Sequence, residues 1–130
     1  MTVTSSEAGG VAIFLRRLAR GETCRIFGDG AQTRDYVFVG DVVRAGLAAA
    51  ARNGGVFNIG TATETSVVDL YAACLDVAGS RSPAEHAPAR LGELQRSVLD
   101  VSLAARELDW RPETQLEDGL RATWEWIREE

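Results

Sequence analysis

The chain contains no lysine: all 14 of its Lys-plus-Arg side chains are arginines. Neither Tyr36 nor Tyr71 therefore has a lysine near it in sequence. Histidine is nearly absent. His86 has no second His or Cys at ligand spacing, and a metal centre is not expected. Cysteine is limited to Cys24 and Cys74, far apart in sequence, and buried free thiols are expected of them rather than a disulfide or a metal site. No Gly-x-x-Gly-x-x-Gly turn opens a helix after a strand, so the chain shows no dinucleotide fingerprint. The longest apolar run, Gly46 to Ala51, falls far short of the roughly 20 residues that span a bilayer. Met1 to Gly10 has neither a positive n-region nor an apolar h-region, so no secretory signal is expected and the cytoplasm is the expected compartment. Positive charge is not in excess either. The formal net charge of −5 argues against a nucleic-acid partner and against a polybasic membrane anchor.

What is present is a chain of 130 residues, 45% apolar and 25% charged, the composition of one ordinary globular domain. Residues 1–8 read as a frayed lead-in and 9–130 as the folded unit. Val11, Phe14, Leu15 and Leu18 recur at helical spacing until Gly21 stops the helix. Arg25-Ile26-Phe27 reads as a short strand and Asp35 to Val39 as a longer one, separated by the Gly28-Asp29-Gly30 turn. Gly40-Asp41 reads as a helix cap, Asp41 to Arg52 as an alanine-rich helix ended by Asn53-Gly54-Gly55, and Val56 to Ile59 as a strand. Ser66 and Asp69 form a capping box for a helix to about Ala78, whose buried face is Val67, Leu70, Tyr71, Cys74, Leu75 and Val77 or Ala78. An extended segment is expected at Glu85 to Ala87, a short strand at Ser97 to Leu99, and a helix from Leu103 to Leu108 capped by Ser102. The last helix is Leu116 to Arg128, with Leu116, Leu120, Trp124 and Ile127 inward and Trp126 off that face. Strands alternating with helices imply an α/β fold, here a mixed α+β arrangement.

Two loops place arginine beside glycine and a carboxylate: Gly28 to Tyr36, and Pro88 to Gln95. Such loops suit a diphosphate and a sugar hydroxyl. Arg34, after the glycine turn, reads equally as a bidentate phosphate grip or as an ion pair with Asp29 or Asp35. Arg90 and Glu93 read as a second charge for the diphosphate and an acceptor for ribose hydroxyls, or as a solvated local pair. Asp29 can simply shape its turn.

Four blocks stand in order: Gly-Asp-Gly-x-x-Thr-Arg-Asp-Tyr-Val-x-Val-x-Asp from Gly28, Asn-Ile-Gly-Thr-x-x-Glu-Thr-Ser from Asn58, Ala-Arg-x-Gly-Glu-Leu from Ala89, and Arg-Glu-Leu-x-Trp-Arg-Pro-x-Thr-x-Leu-Glu-Asp-Gly-Leu from Arg106. Together they resemble the carboxy-terminal, substrate-binding part of the extended short-chain dehydrogenase/reductase family, in its UDP-glucose 4-epimerase and nucleotide-sugar epimerase/dehydratase branch. The resemblance implies that an intact enzyme binds NAD through an amino-terminal Rossmann domain and interconverts sugars through a 4-keto intermediate. It implies that this chain binds a UDP-sugar, binds no NAD alone and carries no catalytic residue. It favours Arg34 and Arg90 on the diphosphate and Glu93 on the ribose, and it lays Arg25 and Phe27 along the base through backbone groups and the Phe27 ring. Gln95 would point toward sugar or phosphates. Residues of about 36–60 would pack on the absent Rossmann sheet. Leu91 replaces a usual proline, Val68 a frequent asparagine, and Ala62 and Asp109 usual glycines, a steric cost of roughly 1 kcal/mol where the backbone is left-handed. The other readings are a free-standing nucleotide-sugar-binding or complementation module and a non-functional fragment.

Overall fold

A computed structural model describes residues 3–4, 8–52, 57–92, 95–96, 98 and 100–130. Glu93, Asn53-Gly54-Gly55, Val56, and the Ser97 and Leu99 of an expected strand lie outside the described residues. The elements run β1 (Val3–Thr4), α1 (Ala8–Arg20), β2 (Arg25–Phe27), β3 (Thr33–Arg34), β4 (Val37–Phe38), α2 (Val39–Ala51), β5 (Thr65–Ser66), α3 (Val67–Ala78), β6 (Glu85–Ala87), α4 (Ser102–Leu108) and α5 (Leu116–Arg128). Helices thus alternate with short strands in the expected mixed α/β pattern.

The helices follow from their apolar spacing. In α1, Val11, Phe14 and Leu15 are buried, and Gly21 ends the helix at φ 71° with Glu22 N–H donating to Arg17 O. In α3, Leu70, Tyr71 and Cys74 face in, the Ser66 hydroxyl accepts from Asp69 N–H at 3.0 Å, and Gly79 closes the helix left-handed. In α5, Leu120 and Ile127 are buried. These three faces meet in one core, where the Phe14 and Tyr71 rings pack edge to face at 5.2 Å. A second, smaller core gathers Ala45 of α2, Ala104 of α4 and Trp110, with Phe57 and Ile59 packed on it. The small side chains of α2 allow that close approach.

The strands pair two by two. β2 and β6 run parallel, Arg25 opposite Glu85 and Phe27 opposite Ala87. β1 and β4 are antiparallel, as are β3 and β5. Val3–Thr4, expected in a frayed lead-in, therefore form a strand.

Several local expectations change. The strand read over Asp35 to Val39 is split: pairing begins at Thr33, breaks at Asp35-Tyr36 and resumes at Val37–Phe38, and Val39 already starts α2. The break coincides with the buried Asp35 carboxylate, which accepts from Thr61 N–H at 2.9 Å, the Thr61 hydroxyl at 2.6 Å and Ala62 N–H at 2.9 Å. That bonding fastens the 60–63 loop where a continuous ladder was expected. Asp41 is not the cap of α2, whose N-cap is Phe38. Its buried carboxylate instead accepts from Glu113 and Thr114 N–H at 3.2 and 3.1 Å. Phe57 to Ile59 is not a strand. Ser102 lies inside α4, and Asp100 takes the Ser102 N–H at 3.0 Å. Ala62 and Asp109 do adopt left-handed backbone, at φ 57° and 51°.

Candidate functional site

A cavity of about 440 Å³ opens between α1, β2 and α3. Its floor is apolar, from Phe14, Ile26 and Leu70, and its rim carries Arg17, Arg25, Glu85 and Arg90. Ile13, more than half exposed, lies on the same wall.

The parallel pairing decides what β2 shows to this space. Cys24 O accepts from Glu85 N–H, and Gly28 N–H donates to Ala87 O, so alternate residues of β2 face β6. The amides and carbonyls of Arg25 and Phe27 accordingly lie on the opposite edge. One of them is engaged: Gln32 Nε2 donates to Phe27 O at 3.1 Å. The turn feeding that edge is fixed locally. Gly28 and Gly30 have φ 63° and 75°, Asp29 Oδ1 accepts from Ala31 N–H at 2.9 Å, and the His86 ring bonds Gly28 O at 2.8 Å. Asp29 therefore shapes the turn.

Three of the six residues expected at the site meet here. Arg25 and Phe27 lie on the wall, and the Arg90 guanidinium stacks 4.0 Å from the Phe27 ring centroid. Arg34 is placed differently. It is 3% exposed, is not part of the cavity wall, and its Nη1 donates to Thr33 O at 2.6 Å. Asp29 and Asp35, offered as its alternative partners, bond Ala31 and the 61–62 backbone. Gln95 is exposed and contributes its carbonyl to Thr33 N–H at 2.8 Å. Its segment is held by Arg96, which grips Glu64 through two bonds of 2.8 and 2.6 Å and pulls that carboxyl below the usual range. Glu93 lies outside the described residues.

Sequence reasoning missed Gln32, Arg17, Ile13 and Glu85. An isoleucine off the core face of α1, one turn before Arg17, was the available signal. Behind the floor, burial raises the Cys24 thiol and, more strongly, Cys74, to about 12; both thiols are free. Among the described residues no group of three or more His, Cys, Asp or Glu side chains could hold a metal ion. No helix among them is long and apolar enough to cross a membrane.

NAD, which the resemblance implies for an intact enzyme, requires a strand running into a glycine turn that opens a helix. β2 runs into Gly28-Asp29-Gly30, but the chain then enters β3. A Cβ on Gly30 would meet Val68 Cγ2 at 2.3 Å and Ile26 Cγ2 at 2.9 Å, so its bare face is filled by packing. The described residues do not fit a dinucleotide.

The model of the NAD dependent epimerase/dehydratase family matches residues 3–60. The chain is 47% identical over 124 residues to the UDP-glucose 4-epimerase of Mycolicibacterium smegmatis, covering 94% of this chain and 40% of that protein. Its fold superposes with a TM-score of 0.88 on the UDP-glucose 4-epimerase of Thermotoga maritima solved with UDP-glucose, at 44% identity, over 95% of this chain and 40% of that one. The Thermus thermophilus UDP-glucose 4-epimerase, solved with NAD, gives 0.87 at 35% identity, over 94% and 40%. The chain thus spans about 40% of the length of these relatives. In sequence and in fold the chain is thus similar to one part, about 40%, of proteins of the NAD dependent epimerase/dehydratase kind.

Proposed function

We propose that the cavity is the nucleotide-sugar site of a UDP-glucose 4-epimerase-like protein, and that this chain supplies the grip on the UDP-sugar. The observation that carries the reading is the Arg90–Phe27 stack on the rim of a cavity of about 440 Å³, beside the edge of β2 that faces away from β6. A base lies against β2 and the Phe27 ring. Arg90 turns its charge to the diphosphate, and Arg34 is assigned the same role on its motif alone. Glu93 takes the ribose hydroxyls, and Gln95 the sugar side. The dinucleotide site and the proton-transferring pair belong to the part of the relatives this chain does not span, so the isolated chain does not turn over. Titrating UDP-glucose into the labelled chain, with dTDP-glucose as comparison, should shift amide resonances at Phe27 and Arg90 in a dispersed spectrum. A dispersed spectrum that does not shift overturns the reading.

The same reading gives the chain a partner, a Rossmann half. On α2, Val43 is 55% exposed and Leu47 69% exposed, one helical turn apart, with open space at Gly46 between them. This stripe receives the dinucleotide-binding part. Mixing the chain with the remaining portion of the mycobacterial relative should give a complex on size exclusion, and Leu47→Glu should abolish it. A complex that survives Leu47→Glu places the contact elsewhere.

A further inference from the structure

Arg90 reaches the cavity from a segment that the fold fastens at both ends. Where the segment leaves β6, Gly28 N–H donates to Ala87 O at 2.8 Å, and a Cβ on Gly28 would meet Ala89 Cβ at 3.3 Å. Where it returns, Thr33 N–H donates to Gln95 O at 2.8 Å. The return anchor is doubled by side chains. Arg96 Nε and Nη2 donate to Glu64 Oε1 and Oε2 at 2.8 and 2.6 Å, and the Thr33 hydroxyl donates to Glu64 Oε1 at 3.0 Å. Glu64 directly precedes β5, whose Thr65 and Ser66 pair with Arg34 and Thr33. Its carboxylate therefore ties the returning segment to the β3–β5 ladder.

A matching fork elsewhere shows why this one matters. Arg16 Nε and Nη2 hold the Glu130 carboxylate at 3.2 and 2.9 Å, but that fork joins the ends of α1 and α5, which the main core already packs together. The segment that carries Arg90 has no such core, because residues 88–92 are all exposed. The place of Arg90 is left to the two anchors and to its stack 4.0 Å from the Phe27 ring centroid. From these placements we propose that Glu64, acting through Arg96, is a positioning residue for Arg90. The fork fixes where the segment returns to β3 and so holds the Arg90 guanidinium over Phe27, set in advance for the anionic part of a ligand. Order present before binding is affinity gained without a new contact. The effect is bounded, since the Arg96 side chain is 78% exposed and an exposed pair transmits no more than its own small strength. Its value for the ligand rests on the cavity being a nucleotide-sugar site; the placement of Arg90 does not.

The test follows the Arg90 side-chain methylene protons, which the Phe27 ring should shift upfield in the free chain, and then titrates UDP. In Arg96→Ala and in Glu64→Gln these resonances should move toward those of an exposed arginine, and UDP should bind about threefold to fivefold more weakly. The double variant should be no worse than either single one, because one fork is lost in all three. Arg16→Ala opens the matching fork and should leave the Arg90 resonances and UDP affinity unmoved. Arg90 resonances that stay in place in both single variants, or that move as far in Arg16→Ala, overturn the positioning role. So does an unchanged UDP affinity when they move, and in each of these cases the nucleotide site stands. If UDP does not bind the wild-type chain, the reading of the cavity fails and the Arg90 resonances alone decide the role of Glu64.

Discussion

Replacing Asp41 by alanine should destabilise the chain by about 2–4 kcal/mol, far more than removal of a helix cap. Asp41 is 4% exposed and sits in the first turn of α2, yet its partners lie 72 and 73 residues away. Oδ2 accepts from the amides of Glu113 and Thr114, and Oδ1 receives Arg44 Nη2 at 3.3 Å. Alanine strands two partly buried amides, at roughly 1–2 kcal/mol each for groups that water can still reach in part. The Arg44 pair adds at most a few tenths, because that guanidinium is 38% exposed. Against a typical total of about 5–15 kcal/mol, this should lower the melting temperature by about 10 °C. Asp41→Ser separates this role from capping. A cap tolerates serine, whereas a serine hydroxyl stops short of the Glu113 and Thr114 amides and should lose nearly as much as alanine. Urea unfolding followed by circular dichroism gives the free energies. The near-ultraviolet spectrum should stay native-like, since the Trp110 indole bonds the Asp41 main-chain carbonyl, which no side-chain change removes. An alanine variant within about 0.5 kcal/mol of wild type, or a serine variant that matches it, would refute the cross-link.

Ala62→Gly should stabilise by about 0.5–1 kcal/mol, because φ 57° costs alanine more than the added freedom of the unfolded glycine, and a lower melting temperature would contradict this. Gly30→Ala should cost at least about 2 kcal/mol, combining φ 75° with overlap against Val68 and Ile26, as read from the same melts. Cys24 and Cys74 are both 0% exposed and should be silent to a thiol reagent in the native chain, with two equivalents reacting once it is unfolded in guanidinium. Burial raises the Cys74 pKa from 9.0 to about 12, so its neutral form is the one that folding favours. That contribution is complete below pH 9 and is lost as pH rises from about 9 toward about 12; alkaline stability that stays flat in wild type would count against it.

The helical core was legible because its information is local. The spacing of Val11, Phe14 and Leu15, of Leu70, Tyr71 and Cys74, and of Leu120 and Ile127 can be read within single helices, and so can the Ser66 cap and the Asp29 turn. Arg25 and Phe27 are reached through the family resemblance alone, and Arg90 through its loop as well. What could not be read has one cause. Asp35, Glu64 and Asp41 each find partners 26, 32 and 73 residues distant, and nothing in the flanking sequence marks them as loop fasteners rather than caps, pairs or ligands. Asp35 shows the consequence: its bonds to Thr61 and Ala62 accompany a break in the strand that alternation alone had drawn from Asp35 to Val39.

The same distinction governs the site. Charge draws attention to Arg34, whose side chain the fold buries with Nη1 donating to the Thr33 carbonyl. Gln32, two residues earlier and without charge, lines the cavity. Its place there depends on a strand edge whose direction is set by which β2 residues bond β6, a fact of pairing that no composition or spacing contains. An arginine can grip a diphosphate from many positions, because charge acts over distance. A hydrogen-bonding wall needs each donor and acceptor in a fixed place, and the Gln32 bond to Phe27 O exists only once β2 and the glycine turn are assembled.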